Sequence, residues 1–214
     1  MADELTGYDA KYAKGNGWQY NTARETAVIR DFILRRLGVP VGSRVLEVGC
    51  GEGFHANLMR IQGMIVDAVD ISKPGILNAR GNYPYRTLTF RCDDARNLHS
   101  IYRDEAFALV FTRAMSWFHR DLTQSVYEDG IDLRAEMTRL MALVKTGGHF
   151  CLQVCTDFSG ETLNGACMNT AESYLDFYGQ FGEIVLFSDW RGNILDREAP
   201  TTPFGGVILA VKKA

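Results

Sequence analysis

The nine residues Val45-Leu46-Glu47-Val48-Gly49-Cys50-Gly51-Glu52-Gly53 run from an apolar, β-forming stretch into a turn with glycine at every second position. A helical pattern from Phe54 to Gln62 follows at once. Glycines in such a turn let the backbone take up positive φ and let a ligand approach the main chain. The helix behind them offers unpaired N–H groups and the positive end of its dipole. Short structural connections between strand and helix also use glycine, so the turn alone leaves both a binding and a structural role open.

The rest of the chain alternates in the same way. Apolar residues recur at helical spacing from Thr22 to Leu37, where Gly38 and Pro40 stop the run. Strands are predicted at Arg44–Gly49, Met64–Val69, Thr87–Cys92, Ala106–Thr112, Gly148–Cys155, Ile184–Phe187 and Gly206–Val211. Between them lie helical patterns at Pro74–Arg80, with Ser72 as cap, at Asp132–Val144 and at Ala166–Tyr178. Strands alternating with helices mean parallel βαβ units in an α/β sandwich. No helical period separates the sixth strand from the seventh. A hairpin therefore brings the last strand in antiparallel, because a parallel return needs a crossover.

A chain of 214 residues fits one domain, with residues 1–21 as an N-terminal cap, its Gly- and Tyr-rich stretch Gly7–Tyr20 read as a loop or short packed segment, and residues 22–214 as the domain proper. Its 23 basic and 26 acidic residues leave a net charge of −3, which argues against a partner held mainly through nucleic-acid phosphates. Five cysteines at irregular spacing (Cys50, Cys92, Cys151, Cys155 and Cys167) read as reduced thiols of a cytoplasmic protein. The start of the chain has no signal-peptide pattern, and no apolar run reaches the roughly 20 residues that span a bilayer. The histidines and cysteines show no metal-ligand spacing.

A dinucleotide fingerprint places its third glycine three residues after the second. Here the gap is two, and an acid, Glu47, stands on the strand before the first glycine. In this the sequence resembles the class I S-adenosylmethionine-dependent methyltransferases, whose first motif is (Asp/Glu)-x-Gly-x-Gly-x-Gly. The likeness can be followed from Arg24 onward. It implies a Rossmann-like three-layer sandwich with a seven-stranded, mostly parallel sheet and an antiparallel last strand. It also implies S-adenosyl-L-methionine as cofactor, held around Glu47, Gly49, Cys50 and Gly51.

By the same resemblance, Asp70 at the end of the second strand takes the ribose hydroxyls and Ile71 packs on the adenine. In Cys92-Asp93-Asp94-Ala95, Asp94 takes the adenine amino group and the Ala95 N–H a ring nitrogen, with Asp93 as the alternative register. Tyr20 and Thr112 complete the cofactor set. Ala108 and Thr146 replace the family's usual Asp in strand four and Pro before strand five.

Substrates of open α/β sheets sit at the carboxyl ends of the strands. The segment Thr112-Arg113-Ala114-Met115-Ser116-Trp117-Phe118-His119-Arg120-Asp121 is therefore the place to seek the chemistry. His119 is the leading candidate base, since an ordinary imidazole is largely neutral at cell pH; a packing role is its alternative. Arg113 or Arg120 suits an anionic group, and Trp117 can wall a ring. Asp157, after strand five, is a second candidate for base or for hydroxyl binding. Tyr12 and Trp18, with Tyr8 and Tyr20, resemble a lid, hinged at Gly15-Asn16-Gly17, and Asp189–Phe204, with Trp190, Arg191 and Pro203, adds to the acceptor wall. His55, on the helix after the glycine turn, is expected at the surface, with reach toward the cofactor region as the alternative, and His99 and His149 in structural roles. The resulting expectation is methyl transfer to a small molecule, foremost at oxygen, with nitrogen or sulfur as alternatives and the oligomeric state, monomer or homodimer, open. An NAD-linked oxidoreductase and a non-catalytic binding module are the competing classes, disfavoured by the glycine spacing and by Asp70.

Overall fold

The computed structural model describes residues 2–14, 17–124, 127–201 and 205–214. Its strands, in chain order, are β1 (Arg44–Val48), β2 (Ile65–Asp70), β3 (Leu88–Cys92), β4 (Phe107–Arg113), β5 (Val144–Thr156), β6 (Thr162–Leu163), β7 (Ala166–Cys167), β8 (Glu183–Asp189) and β9 (Gly205–Lys212). Seven of them form one sheet in the order β3-β2-β1-β4-β5-β9-β8. β1 to β5 pair parallel, and β9 runs antiparallel to both neighbours, inserted between β5 and β8. The expected sheet and its reversed last strand are both present.

Alternating side chains of the central strands fill two cores, one on each face. Leu46, Val48, Val110, Phe150 and Leu152 face helices α6 (Leu133–Leu143) and α7 (Ala171–Tyr178). Val45, Val66, Ala68, Leu109, Phe111 and Cys151 face α3 (Phe54–Ile61), α4 (Lys73–Asn82) and the helix that precedes β1. Burial on both faces explains why β1 and β4 read as continuous apolar runs.

The helix before β1 starts as α2 (Thr22–Ala27), capped by the Asn21 side chain on the Arg24 N–H, and widens to π turns over Val28–Arg35. Its buried pairs, Val28 with Ile33 and Ile29 with Leu34, lie five residues apart. That spacing suits the i→i+5 turn better than the α turn the sequence suggests. Ser72 caps α4 as expected, accepting the Gly75 N–H at 3.2 Å.

Two segments differ from expectation. The N-terminal stretch contains a helix, α1 (Ala2–Ala13), lying against α4. Ser72 donates to Asp9 at 2.6 Å and Asn78 donates to the Tyr12 carbonyl at 3.0 Å, fastening α1 across the glycine turn. The helix expected from Ala166 starts only at Ala171, capped by Thr170. Before it, β6 and β7 form a hairpin through Asn164-Gly165, both at positive φ (52° and 79°). Asn-Gly between short strands is a strong hairpin signal, and here it prevails over the apolar spacing that follows. Gly15, Asn16 and Pro203 of the expected hinge and wall lie outside the described residues. Among the described residues, no helix is long and apolar enough to cross a membrane.

Candidate functional site

A cleft of about 800 Å³ opens at the carboxyl ends of β1, β2 and β4. It lies near the upper end of the range for small-molecule sites, roughly 300–1,000 Å³. Its floor is the glycine turn, with Gly49, Gly51 and Gly53 at φ of 77°, 51° and 79°. At Gly51 the missing side chain makes room for the Tyr12 hydroxyl, where a Cβ would collide. The Asp70 carboxylate accepts the Gly51 N–H at 2.7 Å and the Ser72 N–H at 2.8 Å, so the end of β2 braces the turn that follows β1. Burial nevertheless raises the Asp70 pKa, its two backbone bonds only partly offsetting the lost hydration.

Glu47 lies beneath the turn at 1% exposure, with one carboxylate oxygen unpartnered. Burial pushes its pKa well above the usual range, against a bond from the Ala56 N–H. Glu52, Asp93, Asp94 and Ala95 also line this side. Asp94 is engaged internally: it accepts the Arg96 N–H at 2.8 Å and the Arg96 guanidinium at 2.5 and 3.0 Å. Asp93 accepts the Asp94 N–H at 2.8 Å and the Asn97 amide at 2.9 Å. Ile71 is exposed at the cleft wall, where a flat ring can pack on it.

Past the glycine turn, β4 ends in Arg113 and then Ala114, at φ 51°. Backbone strain of this kind is retained where surrounding contacts over-determine it. Here the Ala114 N–H is held by the Gln153 carbonyl at 2.9 Å, and Met115 packs on Gly49. Arg113 meets two residues that sequence reading did not join to it. Glu25 accepts from His55 Nε2 at 3.0 Å and from Arg113 Nη2 at 3.4 Å, and all three line the cleft. His55 is therefore buried, contrary to the surface position expected, because α2 crosses directly over α3. Burial lowers the His55 pKa despite its carboxylate partner. Burial alone would raise that of Glu25, but the bonds from His55 and Arg113 leave it lowered.

Tyr20 stacks on Phe54 at 4.7 Å and under the Arg113 guanidinium at 4.7 Å; burial pushes its phenol up to about 12. Trp190, after β8, closes the far wall, its ring seated on the bare backbone of Gly206. Trp18 lies at the rim under the Lys11 ammonium, 3.1 Å from its centroid.

His119 lies where the main cleft meets a side cavity of about 280 Å³, and it lines both. Its Nδ1 is buried without a hydrogen-bond partner, and burial lowers its pKa, so the imidazole is neutral at pH 7. Trp117 reaches the cleft but packs chiefly in the core.

Four expected site residues are not brought to the cleft, Arg191 of the expected acceptor wall among them. Arg120 points into the side cavity and forms a fork with Asp129, at 2.9 and 2.5 Å. Asp157 is outside the cleft lining and turns onto the Ser159 N–H at 2.9 Å, because the chain bends away after β5. Thr112 is fully buried within the sheet, since the alternation that brings Arg113 to the cleft turns Thr112 away from it. The residues missed were Glu25 and Gly206, and His55 was placed foremost at the surface. For Glu25 the signal was an acid at a position of α2 that proved buried; for Gly206, a glycine opening an apolar strand.

The family described as a methyltransferase domain matches residues 45–148. A relative from Neonectria sp. (strain DH2), the S-adenosyl-L-methionine-dependent Diels-Alderase iliD, is 33% identical over 144 residues. That match covers 59% of this chain, and the chain spans about three fifths (59%) of the relative's length. Among solved structures, the Burkholderia thailandensis 1,6-didemethyltoxoflavin-N1-methyltransferase superposes with a TM-score of 0.72 at 16% identity, covering 100% of this chain and 88% of its own. The [4+2]-cyclase SpnF superposes with a TM-score of 0.65 at 19% identity, covering 86% and 79%. From the acid-glycine turn, through the sheet with its reversed last strand, to these likenesses, the chain carries a stretch that matches the methyltransferase domain and has the fold of S-adenosylmethionine-dependent methyltransferases.

Proposed function

We propose that the protein transfers a methyl group from S-adenosyl-L-methionine to a small-molecule acceptor, with a hydroxyl oxygen as the acceptor atom. The carrying observation is the pairing, in one cleft, of an acid-lined glycine cradle with a neutral, unpartnered imidazole. The cradle fits the cofactor: the glycines leave the main chain open, Asp70 stands ready for vicinal hydroxyls, and the unpartnered oxygen of Glu47 suits a cationic group.

When bound, the cofactor supplies an activated methyl group on a sulfonium. The chain's own residues do the rest. Gly49, Gly51 and Asp70 hold the donor, and Ile71 with Asp93, Asp94 and Ala95 forms the wall for its base. Tyr12, on α1, and Trp18 act as a lid over the site, consistent with a cap formed by residues 1–21. The neutral imidazole of His119 takes the proton of the acceptor hydroxyl, since a neutral hydroxyl needs a base whereas a carboxylate or thiolate does not. Met115 and Trp117 limit water, and alignment of the two reactants supplies several kcal/mol of the rate.

The names of iliD and SpnF favour a second reading, in which the bound cofactor shapes a cyclisation pocket and no methyl moves. Incubation of the protein with methyl-labelled S-adenosylmethionine and a panel of hydroxylated small molecules decides between them. Label in a product supports transfer. Cofactor binding in calorimetry with no label transferred, together with ring closure of a linear polyene, supports cyclisation. Binding of NAD in place of S-adenosylmethionine would overturn both.

A further inference from the structure

The two ends of the cleft differ in charge. Glu52, Asp70, Asp93 and Asp94, with Arg96, line the side assigned to the nucleotide, while Arg24 and Arg113, with Glu25, line the other. Arg113 is held rigidly: its Nη2 donates to the buried Glu25, and Glu25 is in turn fixed by His55. The Arg113 Nε is buried with no hydrogen-bond partner. Orphaned N–H groups on a buried guanidinium are costly, and a bound anion removes that cost.

Flat surfaces surround these donors. The Trp190 indole has Arg113 at 5.4 Å and Arg24 at 5.6 Å from its centroid, and Tyr20 lies 4.7 Å from Arg113. Trp190 itself is fixed by its Nε1 bond to the Val207 carbonyl at 3.3 Å and by direct seating on Gly206. Glu25 is the acid that both cations act on, through a bond from Arg113 and through the charge of Arg24, so two cations and one acid leave this wall positive.

We infer that the wall formed by Arg24, Arg113 and Trp190 is the acceptor subsite and that it takes a planar aromatic acid, its carboxylate on the Arg113 guanidinium and its ring against Trp190. Arginine suits this role because its planar fork matches a carboxylate while its face still stacks on an aromatic ring. The inference rests on the methyltransferase reading, since it assigns the acidic side to the donor and leaves this side for the acceptor. A carboxylate at this wall has a second source, the amino-acid end of the cofactor itself.

Calorimetry on the full chain, saturated with S-adenosylhomocysteine and titrated with 2-naphthoate or 2-naphthamide, tests the assignment. The acid should bind at least about tenfold more tightly than the amide, the scale of a hydrogen bond to a charged group. In Arg113→Met that preference should fall below about threefold, with S-adenosylhomocysteine affinity unchanged within the same margin. Arg24→Met, at an exposed position, should lower 2-naphthoate affinity by about threefold or more and keeps the test decisive if Arg113→Met fails to fold. Equal binding of acid and amide would overturn the subsite. So would an Arg113→Met protein that loses S-adenosylhomocysteine but keeps 5′-methylthioadenosine, because the wall would then grip the cofactor's own carboxylate. Failure of the wild-type chain to bind S-adenosylhomocysteine at all would instead overturn the methyltransferase reading beneath it.

Discussion

The Asp70 carboxylate and the Gly51 N–H are joined by a 2.7 Å hydrogen bond that ties the end of β2 to the turn after β1. One side chain thereby shapes the cradle, and in the proposed function it also accepts from the ribose hydroxyls. A carboxylate oxygen has a second lone pair, so holding the turn does not prevent it from accepting from a ligand.

Replacing Asp70 by Ala should accordingly weaken S-adenosylmethionine binding by about 1.5–3 kcal/mol, the cost of losing bonds to a charged acceptor. Calorimetric titration of the variant and of Asp70→Asn reads this directly. Unchanged affinity in Asp70→Ala removes the residue from the binding site.

His119→Ala should lower kcat by roughly 10²–10⁴ while cofactor affinity stays near wild type. Burial lowers the imidazole pKa below 6.5. The neutral base is then the main form at pH 7, and kcat should fall as the solution is acidified through that lowered value. His55 is also lowered, so the acid limb is assigned by comparison: it should vanish in His119→Ala and persist in His55→Gln. A limb unaffected by the His119 substitution would mean that positioning alone carries the chemistry.

Glu47 should couple cofactor binding to proton release. Burial raises its pKa, so below that raised value the free protein keeps the carboxyl protonated, and a cationic ligand favours the ionised form. S-adenosylmethionine affinity should then rise with pH up to the raised pKa. Titrations in buffers of different ionisation enthalpy should show proton uptake by the buffer. Because the folded state binds the extra proton, stability without ligand should decline as pH rises from about 4.5 toward the folded pKa, and Glu47→Gln should abolish that decline. Thermal melts across this range check the sign.

Gly53→Ala should destabilise the fold by about 1–3 kcal/mol, since a Cβ there meets the Phe90 ring and Ala79 and the backbone is at positive φ. Urea unfolding measures it. Gly7→Ala, in α1 with open space around it, is the contrast and should raise stability by about 0.5–1 kcal/mol, the helix preference of Ala over Gly.

Much of this architecture was legible from Val45 to Gly53 and from the strand pattern. Apolar alternation, positive-φ glycine and the Ser72 cap are local properties that neighbouring residues impose on one another. The short connection before β9 likewise forced its reversal. Asn164-Gly165 was equally local, yet the apolar spacing beyond it masked the hairpin. The grouping of Glu25, His55 and Arg113 was not legible: the bonding partners stand 30 and 88 positions apart, on three elements that meet only once α2 crosses α3 beside the end of β4. Trp190 above Gly206 depends in the same way on β9 lying beside β8. Backbone preferences act over a few residues and can be read along the chain. Burial, orphaned donors and the charge difference across the cleft arise only when distant segments exclude water together, and that is decided by the packed sheet.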